Sequence, residues 1–281
     1  MARCCPGGCP AITRKSRPRE EVSLDAGRRS AQDRTPPIRR SFNEDADRLR
    51  PPGAEVAQHD LYAMNWKAVV DAADFGPNAS NPLNAAHDSG RAFEAGTLAP
   101  DILAEQEKVL WADTIIMQFP MWWYTMPAIL KGWAERVFTF NFAYGVGEHS
   151  DTRFGDRFGE GTLVGRKALL SVTIGAPEPH YAPRGIQGPI DDLLFPIQHG
   201  ILWYPGIEVL PPFVVFGTAR MTSEDYPDIA KAWEQRLLTL ESTEPIPFRP
   251  QNFGDYEMPS LHLKEGLEPA GRTGFGLHVR G

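Results

Sequence analysis

Cysteine is almost absent from this chain. Its three cysteines, Cys4, Cys5 and Cys9, all lie within the first nine residues. A folded region without cysteine has no disulfide framework, which agrees with a reducing compartment, and we therefore expect a cytoplasmic protein. The adjacent pair Cys4 and Cys5 has no histidine nearby and makes a poor tetrahedral set of ligands, so we predict no metal site.

Long apolar runs and an excess of positive charge are also lacking. No run approaches the roughly 20 apolar residues that a membrane-spanning helix needs, and residues 1–30 lack the apolar core of a secretory signal. The formal net charge is -7, which offers no general attraction to nucleic acid or to an anionic membrane. The sequence therefore predicts a soluble chain with neither a membrane span nor a nucleic-acid partner.

The first 40 residues differ in composition from the rest. They are rich in Arg, Pro and Ser and poor in bulky apolar side chains, so burial cannot offset the entropy cost of ordering them. Residues 31–40 combine paired prolines with four charges, which excludes a buried central strand there. We predict a disordered basic leader over residues 1–40, one domain over residues 41–248, and a tail without clear periodicity over residues 249–281.

Residues 113–144 contain the strongest local signal in the chain. Residues 114–119 are apolar and rich in β-formers, and Pro120 ends this run. Three aromatic residues follow at positions 122–124, and from Ile129 the apolar spacing becomes helical. In an open α/β sheet, the loop that leaves the carboxyl end of a strand is where ligands bind. The pattern therefore predicts a strand, an aromatic loop (residues 121–124) in a binding position, and a helix.

The remaining pattern alternates between strands and helices. Strands are predicted at residues 54–59, 167–172 and 206–216, and helices from Pro100, over residues 190–203 and from Thr222 or Ser223. Residues 74–97 and 145–165 are polar or rich in glycine and are predicted to be loops. This order favours an α/β fold, a doubly wound parallel sheet whose first strand is doubtful.

The run of residues 117–144, MQFPMWWYTMPAILKGWAERVFTFNFAY, resembles the NAD(P)H:quinone oxidoreductase family. The likeness continues discontinuously over residues 41–248 and implies a flavodoxin-like fold. It further implies a tightly held flavin, FAD or in some members FMN, with NAD(P)H as co-substrate and a quinone or similar aromatic electrophile as acceptor. In the family, the substrate pocket also takes residues from a second subunit, so the resemblance implies a homodimer.

Matching the family position by position implies cofactor contacts in four places. They are Ser41, Phe42 and Asn43 at the start of the first helix; Pro120, Met121, Trp123 and Tyr124 around the aromatic loop; Thr173, Ile174, Gly175 and Ala176 in the turn after the next strand; and Tyr181. Ala176 stands where family members often have a second glycine. We expect alanine to be tolerated there if its φ stays negative.

Two further matches concern the substrate and the chemistry. Tyr144 matches the aromatic residue that covers the nicotinamide and quinone pocket, and Tyr181 matches a tyrosine whose hydroxyl faces the flavin. Family members have a histidine that assists this tyrosine, and here Gln187 stands at that position and cannot take up a proton. We therefore expect Tyr181 and backbone dipoles to supply the electrostatic stabilisation.

Several alternatives remain open. The aromatic loop has an ordinary interpretation as core, and Glu135 is as well explained by an i, i+4 surface pair with Lys131 as by a role near a flavin. The missing first strand favours a cofactor-poor homologue with a binding or regulatory role. A one-electron carrier is a further alternative, against which the aromatic residues of the nicotinamide pocket argue.

Overall fold

The secondary structure alternates between strands and helices in a computed structural model that describes residues 19–25 and 54–281. The strands are β1 (Arg19–Asp25), β2 (Ala54–Asp60), β3 (Thr114–Pro120), β4 (His149–Ser150), β5 (Arg153–Phe154), β6 (Lys167–Thr173), β7 (Glu208–Val209) and β8 (Phe213–Val215). The helices are α1 (Ala85–Ala95), α2 (Pro100–Trp111), α3 (Ala128–Val137), α4 (Ile190–Ile197) and α5 (Tyr226–Leu238), and a π-helix spans Gln198–Trp203. None of the helices in this part of the chain combines the length and the apolar character that a membrane span requires.

One parallel sheet organises the molecule, with the strand order β2-β1-β3-β6-β7 and with β8 also paired to β6. β3 and β6 are aligned over their whole length, from Thr114 beside Lys167 to Pro120 beside Thr173. Parallel strands end at the same edge of a sheet. The aromatic loop after β3 and the turn after β6 (residues 173–176) therefore leave the sheet side by side.

Helices cover both faces of this sheet. Ile115 and Met117 of β3 belong to a buried cluster that includes Trp133 of α3. Ile116, between them, belongs to a second cluster with Trp233 of α5. Alternate side chains of a strand point to opposite faces, which explains why Ile115, Ile116 and Met117 are apolar in succession. The predicted doubly wound, flavodoxin-like α/β fold is confirmed.

β1 lies in the centre of the sheet, between β2 and β3, although no strand was predicted in this part of the sequence. Arg19–Asp25 pair in parallel with β2 on one side and with β3 on the other. Four of the seven residues are charged and only Val22 and Leu24 are strongly apolar, so the composition does not indicate a central strand. We expected no strand within residues 1–40, and β1 shows that this expectation is wrong for residues 19–25. The helix predicted to begin at residues 41–43 lies outside the described residues.

Two other segments differ from the prediction. The region 74–97, predicted to be a loop, contains α1, whose start is capped by the Asn84 side chain and whose end is Gly96 in the left-handed conformation, with φ 65°. The strand predicted over residues 206–216 is divided into β7 and β8. Pro211 and Pro212 lie between them, and proline has no N–H to donate to a ladder.

The helix predicted over residues 190–203 is present but changes its winding. It is α-helical up to Ile197 and continues as a π-helix from Gln198. Pro196 lies one residue before this change and cannot donate its share of the α-helical hydrogen bonds. Such π segments occur frequently at functional sites.

Candidate functional site

The aromatic loop forms a tight two-residue hairpin. Trp122 and Thr125 exchange two backbone hydrogen bonds, of 2.9 and 3.1 Å. The two residues between them, Trp123 and Tyr124, both have a positive φ, of 50° and 65°. A turn of this kind requires a positive φ at both central positions and normally takes glycine or asparagine, so two aromatic residues there are held in a costly conformation.

The aromatic side chains of this hairpin are presented at the surface. Trp123 is 94% exposed, and Trp122 and Tyr124 are about half exposed. Core packing therefore does not account for them, and the ordinary interpretation of the loop as core is wrong. Strained backbone persists where the surrounding structure imposes it, and it clusters at ligand-binding sites. The hairpin presents flat apolar surfaces at the edge where β3 ends.

The turn after β6 is bonded to structure on both sides. The Met121 amide donates to the Thr173 carbonyl oxygen at 2.9 Å, which joins this turn to the aromatic loop. On the other side, the Ile174 amide donates to the Val215 carbonyl oxygen at 2.8 Å. Ala176 is not among the described residues that have a positive φ, so alanine at this position is unstrained, as predicted.

Tyr181 lies close to the aromatic loop. It ends a 3₁₀ turn, Glu178–Tyr181, and its ring packs against Phe216 with centroids 5.6 Å apart. Burial raises the pKa of the Tyr181 hydroxyl, and the nearby Tyr124 hydroxyl raises it further. At neutral pH the hydroxyl is therefore protonated and can donate a hydrogen bond. The structure brings Tyr181 together with the loop and the turn.

Gln187 is held beside the same segment. Its backbone N–H donates to the His180 carbonyl oxygen at 3.0 Å. Gly185 allows this tight course, since a Cβ atom there would lie 2.1 Å from the same oxygen. His180, the residue before Tyr181, is thus bonded to Gln187 through the backbone. The His180 side chain is exposed to solvent.

Tyr144 lies beside a cavity next to α3 rather than in the aromatic loop or the turn after β6. Its ring packs edge-on against Phe140 (centroids 5.3 Å apart) and Tyr204 (6.4 Å), and burial raises the pKa of its hydroxyl. It lines a cavity of about 300 Å³ together with Lys131 and Glu135 of α3. No residue of the aromatic loop or of the turn after β6 lines this cavity. Tyr181 does not line this cavity either, so it holds only one of the two tyrosines.

The charged residues of α3 divide between surface and interior. Lys131 and Glu135 form an ion pair and both are about half exposed, which agrees with the predicted i, i+4 pair. Arg136 is buried and pairs with Asp74 at 2.9 Å and with Asp101 at 2.7 Å. Sequence reasoning missed this burial because an arginine in a helix is usually exposed. Sequence reasoning also missed that Tyr204 packs against Tyr144 and lines the same cavity, because nothing in the sequence around Tyr204 indicates this contact.

Of the predicted site residues, the structure assembles Pro120, Met121, Trp123 and Tyr124 with Thr173, Ile174, Gly175, Ala176 and Tyr181 at one edge of the sheet. Ser41, Phe42 and Asn43 lie outside the described residues.

Comparisons with known proteins agree with this architecture. A family model described as the flavodoxin-like fold matches residues 23–237. The ribosyldihydronicotinamide dehydrogenase-like protein traD of Penicillium crustosum is 50% identical over 236 residues, which cover 83% of this chain and 87% of that protein. NAD(P)H dehydrogenase (quinone) 1 of Rattus norvegicus is 35% identical over 235 residues, which cover 82% of this chain and 83% of that protein.

A solved structure extends the likeness to three dimensions. A crystal structure from Klebsiella pneumoniae, assigned as a quinone reductase, superposes with a TM-score of 0.86 at 50% identity. The match covers 93% of this chain and 99% of that one. The family model spans more than half of this chain, and several relatives exceed 30% identity over most of it. The chain therefore belongs to the NAD(P)H:quinone oxidoreductase family of flavodoxin-like oxidoreductases.

Proposed function

We propose that this protein is a flavin-dependent NAD(P)H oxidoreductase that reduces a quinone or similar aromatic electrophile by two electrons. The observation that carries the proposal is the hydrogen bond from the Met121 amide to the Thr173 carbonyl oxygen (2.9 Å), which joins the aromatic loop to the turn after β6. In an open α/β sheet ligands bind outside the carboxyl ends of the strands, and these two segments lie side by side at that edge. The names of the relatives, which refer to NAD(P)H and quinone, support the same reaction.

The residues at this edge fit a flavin. Trp123 and Tyr124 present exposed rings from a strained turn, and a flat polycyclic ring can stack on such surfaces. When bound, FAD or FMN would accept a hydride from NAD(P)H and return it to the acceptor, while the protein binds and orients both reactants. Ser41, Phe42 and Asn43 are proposed to contact the phosphate end.

Tyr181 and Gln187 would supply hydrogen bonds rather than a proton relay. The Tyr181 hydroxyl has a raised pKa and stays protonated at neutral pH, so it can donate to negative charge that develops beside it. An amide side chain such as that of Gln187 can donate a hydrogen bond but cannot take up a proton. We therefore expect this enzyme to rely on electrostatic stabilisation where other family members use a histidine.

A homodimer would complete the site. Tyr144 lines a cavity to which Tyr181 does not contribute, and the side chains of Trp123 and Ile186 are each 94% exposed. A dimer interface that joined these side chains into one covered apolar patch would account for their exposure. We propose that Tyr144 of one subunit covers the flavin edge of the other, so that each pocket has walls from both chains.

The flavin spectrum tests the proposed function directly. Protein purified with FAD should absorb in the flavin bands and oxidise NAD(P)H in the presence of a quinone without a further redox partner. Colourless protein that stays inactive after addition of FAD or FMN would rule the proposal out. Such a result would favour the cofactor-poor alternative. That alternative was suggested by the lack of a first strand in the sequence pattern, and in the structure β1 takes this position beside β3.

Replacing Trp123 by glycine should separate flavin binding from stability. Glycine adopts a positive φ without steric cost, so we expect unfolding stability to stay the same or to rise by about 1 kcal/mol. Flavin affinity should fall about fivefold or more, because a stacked aromatic contact is worth on the order of 1 kcal/mol beyond its buried area. Thermal unfolding and FAD titration measure the two effects.

Val69→Ala is the matched control, because this residue is also largely exposed. Both stability and flavin affinity should be unchanged in this variant. Wild-type flavin affinity in Trp123→Gly would contradict the role proposed for the loop.

Mixing two inactive variants should restore activity if each site is shared between subunits. In a mixed dimer of Tyr144→Ala and Tyr181→Ala chains, one of the two sites receives both native tyrosines. Random pairing makes half of the dimers mixed, so about a quarter of the wild-type activity should return after joint refolding. If each site lay within one chain, every site would carry one substitution and activity would not return.

A further inference from the structure

The tail over residues 249–281 is bonded to the segment that follows β5 (residues 155–160). The Gln251 N–H donates to the Phe158 carbonyl oxygen at 3.1 Å. The Asn252 side-chain amide donates to the Gly155 carbonyl oxygen at 2.9 Å. Gln251 is buried, with 4% of its surface exposed. Two consecutive residues of the tail therefore hold the backbone of the segment after β5.

Arg157, within this segment, connects the tail to an aromatic ring. Its Nε donates to Gln251 Oε1 at 2.7 Å, and its Nη1 donates to the Tyr204 hydroxyl at 3.4 Å. The guanidinium also lies over the Tyr204 ring, 5.7 Å from the ring centroid, within the reach of a cation–π attraction. Arg157 pairs with no carboxylate in the part of the chain that the structure describes, and the adjacent Asp156 pairs with Arg153 instead. The contacts of this guanidinium are therefore made with the tail and with Tyr204.

Tyr204 is held from a second side by Phe158. The Phe158 N–H donates to the Tyr204 carbonyl oxygen at 2.9 Å, and the two rings pack edge-on with centroids 4.8 Å apart. Phe158 has a positive φ, of 51°, which is costly for an aromatic residue and persists only where the surroundings impose it. The segment after β5 thus fixes both the backbone and the ring of Tyr204.

Tyr204 in turn packs against Tyr144. The two rings meet edge-on with centroids 6.4 Å apart, and both line the cavity of about 300 Å³. Tyr144 is half-buried, and its other contacts are the Phe140 ring at 5.3 Å and a hydrogen bond with the Ser89 side chain. Tyr204 is therefore one of the few groups that set the orientation of the Tyr144 ring.

We propose that Gln251 and Arg157 are positioning residues, through which the tail fixes Tyr144 in the substrate pocket by way of Tyr204. This inference rests on the proposed function, in which Tyr144 covers the pocket that the nicotinamide and the quinone use in turn. Neither Gln251 nor Arg157 lines the cavity beside Tyr144, so neither would touch a reactant bound there. Loosening Tyr144 should therefore weaken the binding of both reactants and leave the hydride transfer beside Tyr181 nearly unchanged.

Replacing Arg157 by methionine should raise KM for NAD(P)H and for the quinone about fivefold, as the loss of one cation–π contact predicts. The value of kcat should change by less than about twofold, because the lost interaction acts on binding. Gln251→Met removes the acceptor in the tail and should raise the same two KM values. Steady-state kinetics at saturating FAD measure these effects. Wild-type KM values in either variant would overturn the proposal.

Arg153→Met is the matched control, since it removes the same charge from the adjacent strand β5. Its partners are Asp156 and Glu160, and it makes no contact with Tyr204, so both KM values should stay at the wild-type level. A Tyr204→Leu background shows whether the effect passes through this ring, because Arg157→Met should then raise KM no further. An undiminished rise in that background, or an equal rise in Arg153→Met, would contradict the proposed route.

Fluorine NMR of protein made with fluorinated tyrosine follows the Tyr144 ring without turnover. The signal that is missing from Tyr144→Phe identifies this residue. Arg157→Met should shift or broaden the signal, and Arg153→Met should leave it unchanged. If the wild type neither binds flavin nor turns over but the signal responds in this way, the proposed function fails and the positioning role stands. If the wild type turns over and Arg157→Met changes neither KM nor the signal, the positioning role alone is refuted.

Discussion

Replacing Arg136 by methionine should lower the free energy of unfolding by about 3 to 5 kcal/mol, the usual cost of removing one partner of a buried ion pair. Arg136 is 2% exposed and Asp74 is 1% exposed. The guanidinium also lies 4.5 Å above the Trp66 ring and donates to the Lys67 carbonyl oxygen at 3.0 Å. Methionine would leave the Asp74 carboxylate buried with Lys67 as its remaining cationic partner. Denaturant titration measures the loss.

Lys131→Met is the matched control on the same helix. Its pair with Glu135 is about half exposed on both sides, and exposed pairs contribute only about 0 to 1 kcal/mol. A loss in Arg136→Met no larger than the loss in Lys131→Met would contradict the importance of the buried pair.

The same substitution should change the acid limb of the stability curve. Burial alone would favour the neutral form of Asp74, but hydrogen bonds from Arg136 and Lys67 outweigh it and hold the pKa of Asp74 below its ordinary value. A carboxyl group with a lowered folded pKa adds stability above its unfolded pKa, near 3.9, and this stability is lost as the pH falls through the folded pKa. In Arg136→Met the pKa of Asp74 should rise, so the variant should lose less stability than the wild type on acidification below about pH 4.

The buried face of α3 links this network to the proposed flavin site. Trp133 Nε1 donates to the Glu105 carboxylate of α2 at 2.8 Å, and Arg136 reaches Asp74 and Asp101. The aromatic loop leads directly into α3. These contacts hold α3 in place, and we infer that α3 in turn positions the loop that carries Trp123 and Tyr124. We expect variants that shift α3 to weaken flavin binding as well as stability.

The central part of the fold could be predicted because its local signals agree with its packing. β3 is apolar on both faces, Pro120 ends it, and α3 follows with helical spacing. The alignment of Pro120 with Thr173 then follows from the parallel order, since neighbouring strands end at one edge. What the pattern did not contain was the positive φ of Trp123 and Tyr124, because aromatic residues carry no left-handed preference.

Long-range pairing explains what the sequence did not reveal. β1 is set by backbone bonds to β2 and β3 although most of its residues are charged. The burial of Arg136 depends on Asp74, more than 60 positions away, and so has no local signal. α1 is different, because Asn84 and Gly96 are ordinary cap residues and the helix could have been recognised from them. That Tyr144 lines a cavity without Tyr181 depends on packing between distant segments and has no local signal.

Replacing Gly132 by alanine should destabilise the protein by about 3 kcal/mol or more, because overpacking against a rigid neighbour costs more than the helix propensity of alanine returns. A Cβ atom at Gly132 would lie 2.1 Å from the Ala68 carbonyl oxygen and 2.6 Å from the Ala68 Cα. These are backbone atoms, so α3 or the chain around Ala68 must move. Because α3 follows the aromatic loop, flavin affinity should fall together with the melting temperature.

Gly90→Ala distinguishes this mechanism from a general intolerance of alanine. Gly90 also lies inside a helix, α1, but its added Cβ would meet the Phe140 ring at 2.9 Å rather than a backbone atom. A side-chain ring can shift, so we expect a loss of about 1 kcal/mol or less. If the two variants lost equal stability, the close approach of α3 to Ala68 would not be the reason for glycine at position 132. If Gly132→Ala lost stability but bound FAD normally, α3 would support the fold without setting the position of the aromatic loop.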